Sequence, residues 1–173
     1  FGNPAIDISS QFIMENSAQV PKEIKPVNES VRTEIKTVAY YTDDAGDSQY
    51  KVLEKIVSKI PAEQSIMLIG RYHSDAEFIP NELVMRNEKR NIVSVHISER
   101  DIPYNTIHSA KGLEADNVIV VSCSQDGNGF PSRVSDDPIL GYVLSAPETF
   151  PYAEERRLFY VAITRARKQT YVM

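Results

Sequence analysis

A chain of 173 residues, 42% of them hydrophobic, is the size of one ordinary domain and has enough apolar side chains for a real core. Its formal net charge of −5 argues against a dedicated nucleic-acid-binding module, which is usually basic overall, but leaves room for a local basic groove. The single cysteine, Cys123, excludes an internal disulfide, and no apolar run approaches the roughly 20 residues of a membrane span. No signal-peptide pattern precedes the first helix, so the expected location is the cytoplasm and the match of Asn28-Glu29-Ser30 to a glycosylation acceptor carries no meaning.

At the start, Asn3 reads as an N-cap and Pro4 as a first helical residue, which predicts a helix to about Asn16 with Ile6, Ile8, Phe12 and Ile13 on its apolar side. So abrupt a beginning reads as a cut just before an element. Residues 17–33, with two prolines and mixed charge, read as a connector. Glu34 to Tyr41 is β-rich, Asp43 to Gly46 a turn, and Ser48 to Ile60 an amphipathic helix that Pro61 stops. Ser65 to Ile69 reads as a short buried strand, and a polar segment from Arg71 leads into a helix expected around Ala76 to Arg86. Ile92 to Ile97 and Pro103 to Ile107 read as strands. Asn117 to Val121 is a continuous apolar run of the kind found in parallel sheets. Gln125 to Pro147, rich in Gly, Pro, Asp and Ser, reads as a long surface loop with room for one helical turn. A helix over 154–166 and a last strand from Thr170 to Met173 complete the pattern. Alternating strands and helices predict one α/β domain, a mainly parallel sheet with helices on both faces, whose ligands bind beyond the carboxyl ends of the strands.

Two segments carry candidate chemistry. In the last helix, Glu154 and Glu155 complement the helix N-terminus, while Arg165, Arg167 and Lys168 complement its C-terminus. Leu158, Val161 and Ala162 form an apolar stripe, and Arg165 extends it at helical spacing. A guanidinium there either snorkels to water or enters a cleft where an anion meets it. Arg156 and Arg157 read as solvated or paired with nearby acids. The other segment is T-I-H-S-A-K-G-L-E-A-D, residues 106–116, where Thr106, His108, Lys111 and Glu114 are clustered between two predicted strands. Lys111-Gly112 is not a phosphate loop, because the earlier glycine and the following Ser or Thr are missing. Both a solvated turn around Gly112 and a ligand-facing cluster fit this spacing. His73 and His96 lack a second ligand at metal spacing, so no metal site is expected. Asp136-Asp137 reads as a solvent-facing pair, and Cys123 as a packing residue behind the apolar run.

In combination the two segments resemble motifs of superfamily 1 helicases of the UvrD/Rep type: T-I-H-S-A-K-G-L-E is similar to motif V, and E-E-R-R-L-F-Y-V-A-I-T-R-A-R to motif VI. L-I-G-R-Y-H (68–73), A-D-N-V-I-V-V (115–121), G-F-P (129–131), F-P-Y-A-E-E-R-R (150–157) and Q-F-I-M-E-N (11–16) extend the likeness over essentially the whole chain, with the helicase IV branch as the nearest pattern. The resemblance implies a three-layer RecA-like fold, the second motor domain of an ATP-dependent 3′-to-5′ DNA helicase, spanning residues 1–173 without its own P-loop. It implies that Arg165 is an arginine finger toward the ATP γ-phosphate, that Glu114 meets the ribose, and that Lys111 and Gly112 shape the turn linking nucleotide to strand. Thr106, His108 and Arg71 would face single-stranded DNA, with Arg157 and Tyr160 as structural supports. ATP and Mg²⁺ would be held mainly by the first RecA-like domain of the same protein, since no Walker A loop or Asp-Glu pair occurs here, so no cofactor is expected on this chain alone. The implied partners are that domain and single-stranded or partly duplex DNA, with no membrane. The family's motif IV arginine would fall immediately before Phe1, and the large insertion of UvrD and Rep before motif V has no room. Two other functions share these motifs: ATP-driven remodelling of a nucleic-acid or RNA polymerase complex, and a non-catalytic interaction domain.

Overall fold

The computed structural model describes residues 2–21, 25–26, 32–40, 47–123, 129–132 and 150–173. Its eight strands run β1 (Asn3–Pro4), β2 (Arg32–Thr37), β3 (Ile66–Gly70), β4 (Val84–Arg86), β5 (Ile92–Ile97), β6 (Arg100–Thr106), β7 (Ala115–Val120) and β8 (Ala166–Val172). Among the described residues the α-helices are α1 (Ala5–Met14), α2 (Asp47–Lys59) and α3 (Ala153–Ile163). The turn expected at 43–46, most of the expected loop over 125–147, the glycosylation-like tripeptide and the Asp136-Asp137 pair lie outside the described residues.

Strands β3 and β7 organise the sheet because their sequences are apolar on both faces. Ile66 and Leu68 of β3, with Ile119 of β7 and Val121 just beyond it, pack against Leu53, Ile56, Val57 and Ile60. Those four recur at the i, i+3, i+4, i+7 spacing of one helical face, which seats α2 on this side of the sheet. Met67 and Ile69 of β3 and Val118 and Val120 of β7 enter a second cluster with Leu158, Phe159, Val161 and Ala162 of α3. Helices therefore cover both faces, in the three-layer α/β arrangement the alternating pattern predicts. The strand order is β1-β2-β8-β7-β3-β6-β5-β4, parallel from β1 through β6 and antiparallel across β6-β5-β4.

Helix α1 lies beside α3, where Phe12 meets Phe159 edge-on at 5.5 Å. Arg156 ties the two helices together: one Nη donates to the Phe12 carbonyl at 3.0 Å, and the other pairs with Glu15 at 2.7 Å. At the amino end, Thr33 Oγ1 accepts from the Gly2 N–H at 2.9 Å and donates to the Arg167 carbonyl at 2.7 Å, stitching β1, β2 and β8.

Four local expectations need correction. Asn3 is not an N-cap: it pairs with Arg32 in the sheet, and Pro4 occupies the cap position of a helix that ends at Met14. The helix expected over 76–86 is absent. In its place are a 3₁₀ turn (His73–Ala76), a second (Asn81–Leu83) and then β4. Pro80 is the reason, since it lacks an N–H and drives its own neighbour away from helical dihedrals. The last helix stops at Ile163, and the last strand begins at Ala166, four residues earlier than Thr170. Finally, the strand expected from Pro103 to Ile107 runs from Arg100 to Thr106, because β5 and β6 form a tight hairpin across Ser98 and Glu99, both at positive φ (51° and 59°), a turn that sequences more often build with Asn-Gly.

Leu68 is fully buried between β6 and β7 at the middle of the sheet. Leu68→Ala is expected to lower stability by about 2–5 kcal/mol, read by urea unfolding. A loss below about 1 kcal/mol would show that the core does not close on β3.

Candidate functional site

The parallel strands set all the candidate residues along two opposite edges. Gly70 of β3 pairs with Thr106 of β6, so Thr106, Arg71 and the turn after β6 share the carboxyl edge. Ala115 of β7 pairs with Ala166 of β8, which puts Glu114 and Arg165 at the amino edge. The cluster expected over 106–114 is thus not one site. It crosses the sheet along the α3 face, where Ile107 and Ala110 are buried in the second cluster. Gly112 takes φ 87° in that crossing, a backbone state few other residues adopt without strain.

At the carboxyl edge, Thr106 and Ser109 form a hydroxyl pair at 3.2 Å, and the Ser109 hydroxyl also donates to the Thr106 carbonyl at 2.9 Å. His108 and Lys111 are exposed beside them. Arg71 is held differently. Its Nε donates to Glu155 at 2.9 Å, with only 15% and 12% of the two side chains accessible. Its guanidinium also lies 4.8 Å from the centre of the Tyr72 ring. Its main-chain N–H and that of Tyr72 donate to the Asp75 carboxylate at 2.6 and 3.0 Å. Burial raises the Asp75 carboxyl above its ordinary value, against the two N–H donors and the Arg71 charge that pull it down. Close packing fixes the start of this turn, because a Cβ on Gly70 would collide with the Tyr104 hydroxyl. That hydroxyl donates to the Tyr72 carbonyl, and burial pushes it upward in pKa. Cys123 stands nearby, its thiol pushed by burial to about 12, which fits the packing role read from the sequence.

At the amino edge, Arg165 lies just past the end of α3. Its Nε donates back to the Val161 carbonyl at 3.0 Å and one Nη to the Thr164 hydroxyl at 3.4 Å. No carboxylate pairs with it among the described residues. Its carbonyl accepts from the Ala115 N–H at 3.2 Å, so the 106–116 segment and the end of α3 meet through main chain. Glu114 is exposed beside this contact. One residue further on, the Asp116 carboxylate accepts from the Ser65 N–H at 3.0 Å and its hydroxyl at 3.1 Å, with Arg167 and Lys168 at 3.7 and 3.9 Å. The Ser65 bonds first, then the two cations, hold its pKa below the ordinary carboxylate value.

The helicase motifs find their match in known proteins. Residues 85–173 fit the family described as the UvrD-like helicase C-terminal domain. The chain belongs to that family. Over 167 residues it is 30% identical to DNA helicase IV of Escherichia coli strain K12, covering 96% of this chain and 22% of that protein. It is also 30% identical over 95 residues to the ATP-dependent DNA helicase Rep of Buchnera aphidicola, covering 52% and 12% of the two. The chain therefore spans about a fifth or less of the length of these relatives. A solved C-terminal domain of a possible DNA helicase from Lactobacillus plantarum WCFS1 aligns over 99% of this chain and 84% of its own, with TM-score 0.49 and 17% identity.

Of the residues expected in this UvrD-like domain, Arg71 and Thr106 share the carboxyl edge, with His108 in the turn beyond them. Arg165 and Glu114 both lie at the amino edge, beside the main-chain bond from the Ala115 N–H to the Arg165 carbonyl, and Gly112 lies on the path between. Arg156 and Arg157 are paired with Glu15 and Glu154. Among the described residues no three His, Cys, Asp or Glu side chains gather as a metal site. Sequence reasoning did not single out Asp75, Tyr104 or Asp116, and read Glu155 only as a helix-start charge. Asp75 stands three residues after Tyr72, the N-cap of the 3₁₀ turn, at the spacing where an N3 carboxylate reaches back to the N-cap N–H.

Asp116 supplies a pH test. Its folded pKa is depressed, so its stabilisation is present above the ordinary carboxylate value and is lost as pH falls through the folded one. Asp116→Asn is expected to be less stable than the parent by about 1 kcal/mol or less at neutral pH. The gap should close in acid, measured by thermal unfolding across pH. A gap that widens in acid would contradict the assignment.

Proposed function

We propose that this chain is the second motor domain of an ATP-dependent 3′-to-5′ DNA helicase and supplies one half of a shared nucleotide site. In this reading Arg165 is an arginine finger, Glu114 meets the ribose, and Gly112 shapes the turn between the nucleotide and the strand. Thr106, His108 and Arg71 line a track for single-stranded DNA. The first RecA-like domain of the same protein holds ATP and Mg²⁺, and closing and opening of the cleft moves the strand in small steps.

One observation supports the reading best. Arg165 is a half-buried guanidinium with no carboxylate partner among the described residues, held only by neutral oxygens at the end of α3. A cation in that state retains donors and charge for an anion brought from outside, and Glu114 stands next to the same main-chain contact. A fixed positive charge beside a phosphoryl group stabilises the charge that develops as the group is transferred. The separation of the two edges suits the same reading: nucleotide on one side and strand on the other, joined by the crossing segment and α3.

The 173-residue chain alone is expected to hydrolyse no ATP, since it offers only the trans-acting half of the site. DNA-stimulated turnover by the purified chain, abolished in Arg165→Ala, would overturn that. In the full-length protein, Arg165→Ala should lower kcat by about 10³-fold or more with a smaller effect on ATP affinity. A variant with normal turnover removes the finger assignment. The chain should also bind single-stranded DNA weakly and lose that binding as salt is raised.

A further inference from the structure

We propose that Glu155 is a positioning residue for nucleic-acid binding: it holds Arg71 by Nε so that both Nη groups are presented to a backbone phosphate. The inference rests on the reading of the carboxyl edge as a strand track.

An arginine has five N–H donors, and how a carboxylate engages it decides what remains. Here the contact is through Nε alone, at 2.9 Å, and neither Nη has a hydrogen-bond partner among the described residues. One further contact restrains the side chain, and two sets of bonds fix the main chain that carries it. The Tyr72 ring stacks on the guanidinium at 4.8 Å, Asp75 clamps the Arg71 and Tyr72 N–H groups, and the Tyr104 hydroxyl holds the Tyr72 carbonyl. Glu155 is fixed in turn. Its second oxygen accepts from the Ser132 N–H at 3.0 Å, and the Ser132 hydroxyl pairs with Tyr72 at 2.8 Å. It also sits in the first turn of α3, where the helix favours a negative charge. The result is an oriented guanidinium fork beside Thr106, suited to the planar, two-pronged recognition of a phosphate.

The sign of one substitution separates this role from the alternatives. If Glu155 merely added negative charge near a polyanion, or competed with DNA for Arg71, then Glu155→Gln would tighten binding. If Glu155 positions Arg71, the same change weakens it. A glutamine replaces one of the two carboxylate oxygens with an NH₂ donor, so it meets either Arg71 Nε or the Ser132 N–H, which address different oxygens, with a donor instead of an acceptor.

The test is a titration of fluorescein-labelled oligothymidylate with this chain and its variants over a range of salt, with thermal unfolding to confirm the fold. Glu155→Gln is expected to weaken binding by about fivefold at low salt. It should also reduce the slope of log affinity against log salt by about 0.7, the share of one phosphate contact on a single strand. In an Arg71→Ala background, Glu155→Gln should have no additional effect on binding, a non-additivity that a purely structural role does not produce. Unchanged or tighter binding by folded Glu155→Gln overturns the proposal while leaving the strand track in place. If Arg71→Ala itself binds like the parent, the track reading and the proposal fall together. Should Glu155→Gln not fold, Arg71→Lys decides: it keeps the charge without the fork, and parental affinity in that variant overturns the proposal.

Discussion

Burial of β3 and β7 on both faces is the constraint from which the rest of this domain follows. Five successive buried residues in β3 leave no face for water, so each side of the sheet must be covered by a helix. Covering both faces with a short chain demands crossover connections, which make the central strands parallel and align their ends. That alignment creates two distinct edges, separated by the length of a six-residue strand, roughly 20 Å.

Helix α3 is the element that reaches both edges. It starts near Arg71, gripping it through Glu155, and ends next to Ala115, where Arg165 turns back onto the last helical carbonyls. Its acidic first turn, Glu154 and Glu155, is favoured by the helix dipole, whereas its last turn carries no basic residue: Arg165 lies beyond the Thr164 cap, and Arg167 and Lys168, expected at the helix end, belong to β8. The apolar middle, Leu158, Phe159, Val161 and Ala162, pins this rod to the sheet between the two edges. Between the edges Ile107 and Ala110 pack into the cluster on the α3 side, while Lys111 to Glu114 around Gly112 are exposed.

The strands and helices carried by periodicity were readable from residues alone. The α2 face, the buried runs of β3 and β7, and the acidic start of α3 all state their structure locally. The failures have equally local causes. Ala76 to Arg86 carries apolar residues at helical spacing, but Pro80 interrupts the backbone and the segment resolves into two 3₁₀ turns and an edge strand. The β5–β6 hairpin was hidden because Ser98 and Glu99 adopt a turn usually signalled by Asn-Gly. Arg165 fits the helical stripe by spacing, yet Thr164 already closes the helix.

By itself the sequence determined the class of the fold, the two motif segments and the family to which the domain belongs, because periodicity and residue order are properties of the chain alone. Only the tertiary structure decided that the 106–116 segment is divided between two edges. Strand direction and register are set by long-range pairing, and the positions of Thr106 and Glu114 follow from which neighbours β6 and β7 select. The partnership of Arg71 with Glu155, 84 residues apart, is likewise invisible in sequence. Two side chains of opposite charge attract anywhere in a chain, but only the packed layers exclude enough water to hold this pair in one orientation.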